Sequence, residues 1–307
     1  MLEDDLFLKA PYNCFREFIS PEADRFALLC SVLDQCSLPR QVLEIAGKLH
    51  IAAGPEKGFN ACGLIFTAHY DRTSDSSGAN DNGAAVFQLI ETALRIYAPP
   101  QTMVMSPVAV QTTAPPRRPV LFIFTDGEEL SKGESLRRQG AYSLGLHLKQ
   151  NGMGNSRIFT FDACGAGDTL IISTAADQLL KNETGPGADA MRRKVQVLRQ
   201  TALEAARKAR LENVLLLPTP FSEDAGFLLA GMTAQTITVL PQNEAAVCSS
   251  LVRNGKAAAL LSNAVNVDRR LIPETWKSLN GPGDSPLRLT PEHWKKVSAF
   301  ANALAML

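Results

Sequence analysis

The chain predicts an α/β fold, a three-layer sandwich in which a mostly parallel mixed sheet carries helices on both faces. Three observations lead there. GLIFTA (63–68) and VLFIFT (120–125) are short, nearly continuous apolar runs, the composition of strands buried on both sides. Segments with apolar residues at helical spacing separate them, and strands that alternate with helices form parallel sheets covered on both faces. At 307 residues, with 45% hydrophobic and 20% charged content, the chain can bury one large core. We expect one domain spanning 1–307, interrupted by a Pro-rich loop at about 98–119.

Taken in order, Ser20-Pro21-Glu22 reads as a helix start, with serine as cap and proline in the first turn. Phe26, Leu29, Val32 and Leu33 follow at helical spacing. QVLEIAGKLHIAA supports two strands around Gly47-Lys48. GLIFTA is a central strand, and 83–97 is a helix carried by Val86, Leu89, Ile90, Ala93, Leu94 and Tyr97. The segment 98–119 holds six prolines and almost no charge before its arginines, so it is an irregular loop, and long loops in compact domains are usually functional or disordered. VLFIFT is the next strand, followed by a helix near 137–150. RIFTFDA (157–163) and TLIIS (169–173) are strands, and AMRRKVQVLRQTALEAARKARLE is a helix with one solvated, charged face. VLLLP (214–218) and AQTITVLP (234–241) complete the strands, and Thr290-Pro291-Glu292 opens a terminal helix.

Composition excludes several classes. The 31 basic and 31 acidic residues balance, so nothing points to nucleic acid or an anionic membrane surface. No run of 18 apolar residues exists, and MLEDDLFLKAP opens acidic without an apolar core, unlike an export signal. The six cysteines show no metal-type pairing and read as reduced thiols in packed positions. The expectation is a cytoplasmic protein; oligomeric state is left open.

In parallel sheets the chemistry gathers at the carboxyl ends of the strands. His69 and Asp71 lie just past GLIFTA, Asp126, Glu128 and Glu129 just past VLFIFT, and Asp162 ends RIFTF. Asp81, in GANDNGAAV, closes the loop that leads from the His69 strand into its helix. Each piece alone is weak: a His-x-Asp is commonly a satisfied histidine, a Glu-Glu pair a solvated turn, and Asp81 a helix cap. Together they bring one imidazole and several carboxylates to one rim, where they would repel unless cations lie between them. A nitrogen and oxygen donor set of this kind suits zinc or another divalent first-row metal.

The order AHYD, GANDNGAAV, FTDGEE, FTFDACG resembles the zinc-dependent aminopeptidase family, which also includes the glutamate carboxypeptidase ectodomains and the glutaminyl cyclases. The resemblance runs from about residue 20 to the C-terminus. It implies a single catalytic domain, a peptide substrate and one or two Zn2+ ions. It further implies that His69 and Asp162 hold the first metal, that Asp81 bridges two, and that Glu129 holds the second. Glu128 would be the general base, and Asp71 would orient the His69 imidazole.

One departure matters. The family carries a last ligand in a His-Thr-x-x-Asp segment, and in WKSLNGPGDSP the histidine's place is taken by Asn280, the threonine's by Gly281, while Asp284 matches. A neutral amide is a poorer zinc ligand than imidazole. His293 is an alternative ligand, although a solvent-facing residue at a helix start is the ordinary reading. Where the family has Ser-Asp-His this chain has Ser222-Glu223-Asp224, and Asp224 or Glu223 could approach the site. The expectation is unequal metal sites, the second weak, exchangeable or absent. The leading reading is a metal-dependent aminopeptidase. Glutaminyl cyclase is the enzymatic alternative, although its single zinc would use Asp81, Glu129 and the missing histidine. A non-catalytic, peptide-binding descendant is the other, favoured by Asn280 and opposed by Glu128.

Overall fold

The computed structural model describes residues 5–55, 58–97, 119–131, 133–260 and 271–307. The Pro-rich segment, apart from Pro119, lies outside the described residues. The chain opens with short helical turns and α1 (Phe15–Phe18), then α2 (Arg25–Gln35). The strands β1 (Arg40–Ile45) and β2 (Lys48–Ala53) form a hairpin, followed by β3 (Leu64–His69) and α3 (Ala84–Tyr97). Next come β4 (Val120–Thr125), α4 (Gly140–Gln150), β5 (Arg157–Phe161) and β6 (Thr169–Ser173). Then follow α5 (Ala175–Leu179), α6 (Pro186–Lys208), β7 (Val214–Leu217) and α7 (Glu223–Leu229). The last elements are β8 (Thr233–Leu240), α8 (Gln242–Arg253), α9 (Glu274–Ser278) and α10 (Pro291–Ala305).

The eight strands form one sheet in the order β1-β2-β4-β3-β5-β8-β6-β7. Its centre is parallel: β3 pairs with β4 on one side and β5 on the other, and β5 pairs with β8. The β1–β2, β2–β4 and β6–β8 pairs are antiparallel.

Side chains that alternate along the central strands build two cores. Leu64, Phe66, Ala68, Val120, Phe122 and Phe124 face the same core as α2, α3, α6 and α10. Ile65, Leu121, Ile123 and Ile158 face the opposite one, with α4 and α7. A period-two strand buried on both faces needs mostly apolar residues along its length, as β3 and β4 have apart from Thr67, His69 and Thr125. The layers are therefore helices, sheet, helices, the α/β sandwich expected. The N-terminal turns seal the first core: Phe15 meets Phe87 and Trp294 edge-on, with ring centroids 5.4 Å and 5.3 Å apart.

The helix α6 begins and ends four residues earlier than the expected 190–212, and the start of α2 also differs from expectation. The helix that carries Phe26 and Leu29 begins at Arg25, capped by Asp24, whose carboxylate accepts from Ala27 N at 3.0 Å. The Ser20-Pro21-Glu22 stretch is otherwise engaged. Ser20 Oγ donates to Glu22, and the carbonyls of Ile19, Ser20 and Pro21 accept from the Arg72 guanidinium, so this backbone binds the loop after β3 instead of starting a helix.

Candidate metal centre

The topology places three strand ends side by side. His69 pairs with Thr125 in register, so the residues after β4 lie beside the imidazole, and β5 delivers Asp162 on the other flank. His69 is fully buried. Its Nε2 lies 3.1 Å from Asp81 Oδ1 and 3.6 Å from Asp162 Oδ1, without the alignment a hydrogen bond needs. Its Nδ1 faces Asp71, 3.2 Å from the backbone oxygen and 3.5 Å from Oδ1. Among the described residues, ligand atoms gather within 4.8 Å of one another in two sets that share His69: with Asp81 and Asp162, and with Glu128 and Glu129.

Asp71 has a second task. Its two carboxylate oxygens accept the backbone N–H of Glu128 at 3.2 Å and of Glu129 at 3.0 Å. The residue expected to orient His69 thus also holds the turn that carries both glutamates. Glu128 keeps its side chain off that network, accepting from Gln139 Nε2 at 3.0 Å through Oε1.

The loop that carries Asp81 is held from three directions. Asn82 donates to Phe161 O at 2.8 Å and accepts from Ala163 N at 3.2 Å, gripping the backbone on both sides of Asp162. Asn80 accepts from Gly165 N at 2.7 Å. Buried Asp284 accepts the backbone N–H groups of Asn80 and Asp81 at 2.9 Å and 3.1 Å. The Arg25 guanidinium donates to the carbonyls of Tyr70, Ser77 and Gly78 behind it. Sequence reasoning matched Asp284 to its family segment without assigning this grip, and it missed Asn80, Asn82, Arg25 and Gln139. The asparagines stand inside GANDNG, but their side chains reach residues some 80 positions onward, which no local pattern reveals.

The electrostatics call for a cation. Burial and the neighbouring carboxylates push Glu129 up to about 9 and Asp81 up to about 6, and raise Glu128 well above its ordinary range. Burial opposes protonation of His69, yet Asp162, Asp71 and Asp81 outweigh it and hold the imidazole well above its usual value. Among the described residues no lysine or arginine pairs with Asp71, Asp81, Glu128, Glu129 or Asp162. Three atoms of the expected ligands, His69 Nε2, Glu129 Oε1 and Asp162 Oδ1, are buried without a hydrogen-bond partner. A buried polar atom left unpaired costs about 1–3 kcal/mol; His69 and Asp162 belong to one ligand set and Glu129 to the other, and a divalent metal is what would satisfy such atoms. The nitrogen and oxygen donors present fit zinc.

The remaining candidates lie elsewhere. Asn280 is exposed on a left-handed turn (φ 63°) and makes no hydrogen bond to the cluster; the structure does not bring it in, and this segment meets the site through Asp284 instead. His293 is part-exposed on the first turn of α10, 4.0 Å from Glu292. Glu223 and Asp224 are buried at the start of α7, but neither joins a ligand set. Glu223 accepts from the hydroxyls of Thr67 and Thr125, and burial pushes it up to about 7.

Comparison with known proteins identifies the family in which this α/β sandwich falls. The chain belongs to peptidase family M28, whose family model matches residues 51–215. It is similar in structure to a zinc aminopeptidase from Bacillus subtilis, at TM-score 0.53 and 18% identity, covering 83% of this chain and 49% of that one. It is also similar to the LapA aminopeptidase of Legionella pneumophila, at TM-score 0.60 and 14% identity over 96% of this chain and 69% of that one. The glutaminyl cyclase of Porphyromonas gingivalis matches at TM-score 0.61 and 13% identity, over 96% and 95% of the two chains. The chain thus spans about half the length of the B. subtilis enzyme. No curated protein sequence matches it.

Proposed function

We propose that the chain is a zinc-dependent aminopeptidase that releases N-terminal residues from peptides. The observation that supports this reading is the convergence of His69, Asp81 and Asp162, with unpartnered buried ligand atoms, beside a Glu128 carboxylate that is held by an amide. In this reading His69 and Asp162 would hold the first ion, Asp81 would contribute to both sites, Glu129 would hold the second, and Asp71 would orient the imidazole. Bound zinc supplies Lewis acidity, polarising the scissile carbonyl and lowering the pKa of water. Glu128 accepts the proton of the attacking water and passes it to the departing amine. The exposed position of Asn280 supports unequal sites, because Glu129 and Asp81 gain no imidazole from the C-terminal segment. The six free cysteines support a reducing, cytoplasmic place of action. Among the described residues no helix is long and apolar enough to cross a membrane.

The deciding experiment is a panel of aminoacyl chromogenic substrates with zinc-loaded and chelated protein. Zinc-dependent release of the chromophore from at least one substrate is expected. Silence across the panel with zinc shown to be bound would favour a peptide-binding protein without catalysis. The likeness to a glutaminyl cyclase supports a second reading, tested in the same samples by ammonia release from an N-terminal glutaminyl peptide. Retention of His69 and Asp162, which that single-zinc chemistry does not require, speaks for the peptidase.

A further inference from the structure

We propose that Gln139 is a positioning residue for Glu128: its amide N–H fixes carboxylate oxygen Oε1 and leaves Oε2 as the oxygen that faces the reacting water. The proposal rests on the peptidase reading for its chemistry and on geometry for its placement. Gln139 precedes α4 and is 3% exposed, so its carboxamide is withdrawn from solvent. Nε2 donates to Glu128 Oε1 at 3.0 Å, and among the described residues no other hydrogen bond engages the Glu128 side chain.

The backbone prepares this contact. Gly140 N donates to Gly127 O at 2.8 Å, which sets the start of α4 against the turn that carries the glutamates. Only glycine permits that approach, since a Cβ at position 140 would stand 1.8 Å from Asp126 O. Asp71 meanwhile holds Glu128 N at 3.2 Å. The general base is therefore fixed at its backbone by one residue and at its carboxylate by another.

The orientation of the amide follows from chemistry. A carboxylate oxygen accepts, so the nitrogen end must face it; the reversed amide would set oxygen against oxygen. Gln139 Oε1 then points toward α7, where it is buried without a partner. There Gly226 makes room, because a Cβ at that position would come within 3.0 Å of Oε1. A side chain that leaves one buried acceptor unpaired fills space poorly as a polar group, and the contact it does make is the one to Glu128.

The test uses the full-length, zinc-loaded protein and two variants, Gln139→Met, which has similar length and no polar group at its end, and Gln139→Glu, which matches the shape but cannot donate when ionised. Crystal structures should show Glu128 Oε1 bound to the amide in the parent and the carboxylate turned or spread over rotamers in both variants. Zinc stoichiometry should stay the same. Turnover should fall at least tenfold in kcat, with KM within about twofold, because the lost interaction concerns the reacting geometry and not substrate binding. Should Gln139→Met fail to fold, Gln139→Glu carries the same comparison. A Glu128 carboxylate unmoved in the variants, or kcat kept at the parent level, overturns the proposal. A parent inactive on every substrate counts against the peptidase reading alone, since the position of the carboxylate in the structures still decides the role of Gln139.

Discussion

Two groups of buried acids meet the same central strands and are settled in opposite ways. At the carboxyl rim, Asp81, Glu129 and Asp162 surround His69, and buried atoms of His69, Glu129 and Asp162 lack hydrogen-bond partners. Beside them, at the start of α7, Glu223 finds a hydroxyl donor for each oxygen, Thr67 from β3 and Thr125 from β4, while Asp224 accepts from Ser222 N. Glu223 is satisfied without any outside group, each of its oxygens taking a hydroxyl. The rim cluster is not, although it is built from the same residue types in the same core. What separates a candidate metal centre from a structural acid here is the supply of local donors, because a carboxylate with its own hydroxyls has no need of a cation.

The comparison can be broken at several points. The largest effect is expected for Glu128→Gln, which keeps the shape but cannot accept a proton. Turnover should drop by about 10²–10⁴-fold, while metal analysis after dialysis returns the parent zinc content. A lost ion together with lost activity would make Glu128 a ligand and not a base. Next in size is the metal itself. Titration of zinc into chelated protein should reveal one tight and one weak or absent site, and saturation at 100 times Kd should stabilise the fold by about 2.7 kcal/mol. Two equally tight sites would remove the asymmetry drawn from Asn280.

A smaller effect is expected at the α7 acids. Burial pushes Glu223 from 4.5 to about 7. The folded protein therefore holds the Glu223 proton more strongly than the unfolded chain does. That contribution is present in full below about pH 4.5 and is lost as pH rises through 7. Glu223→Gln removes it, so the variant should gain on the parent by about 1–3 kcal/mol between pH 5 and pH 8 in denaturant titrations. Asp224, also pushed to about 7 by burial, still titrates in the variant. Zinc affinity should not change. A weakened metal site in Glu223→Gln would show that the two groups of acids are one system.

Much of this was legible in the linear chain. The strands β3 and β4 appear as nearly continuous apolar runs because both their faces are covered, and polar residues resume where each strand leaves the core. His69, Glu129 and Asp162 could therefore be assigned to one rim before any fold was known. The start of α2 was not legible. Ser20-Pro21 has the right local chemistry for a helix cap, but Arg72, some fifty residues away, claims the carbonyls there, and Asp24 becomes the cap.

Residue order alone determined which side chains reach the carboxyl ends of the central strands, since hydrophobic period and strand length are local properties. Tertiary structure decided how those side chains are held: Asp284 on the backbone of Asp81, Asn82 around Asp162, Asp71 beneath both glutamates, Gln139 on Glu128. The physical reason is that a hydrogen bond needs donor and acceptor within about 3 Å, and only the folded sheet brings residues from distant parts of the chain that close.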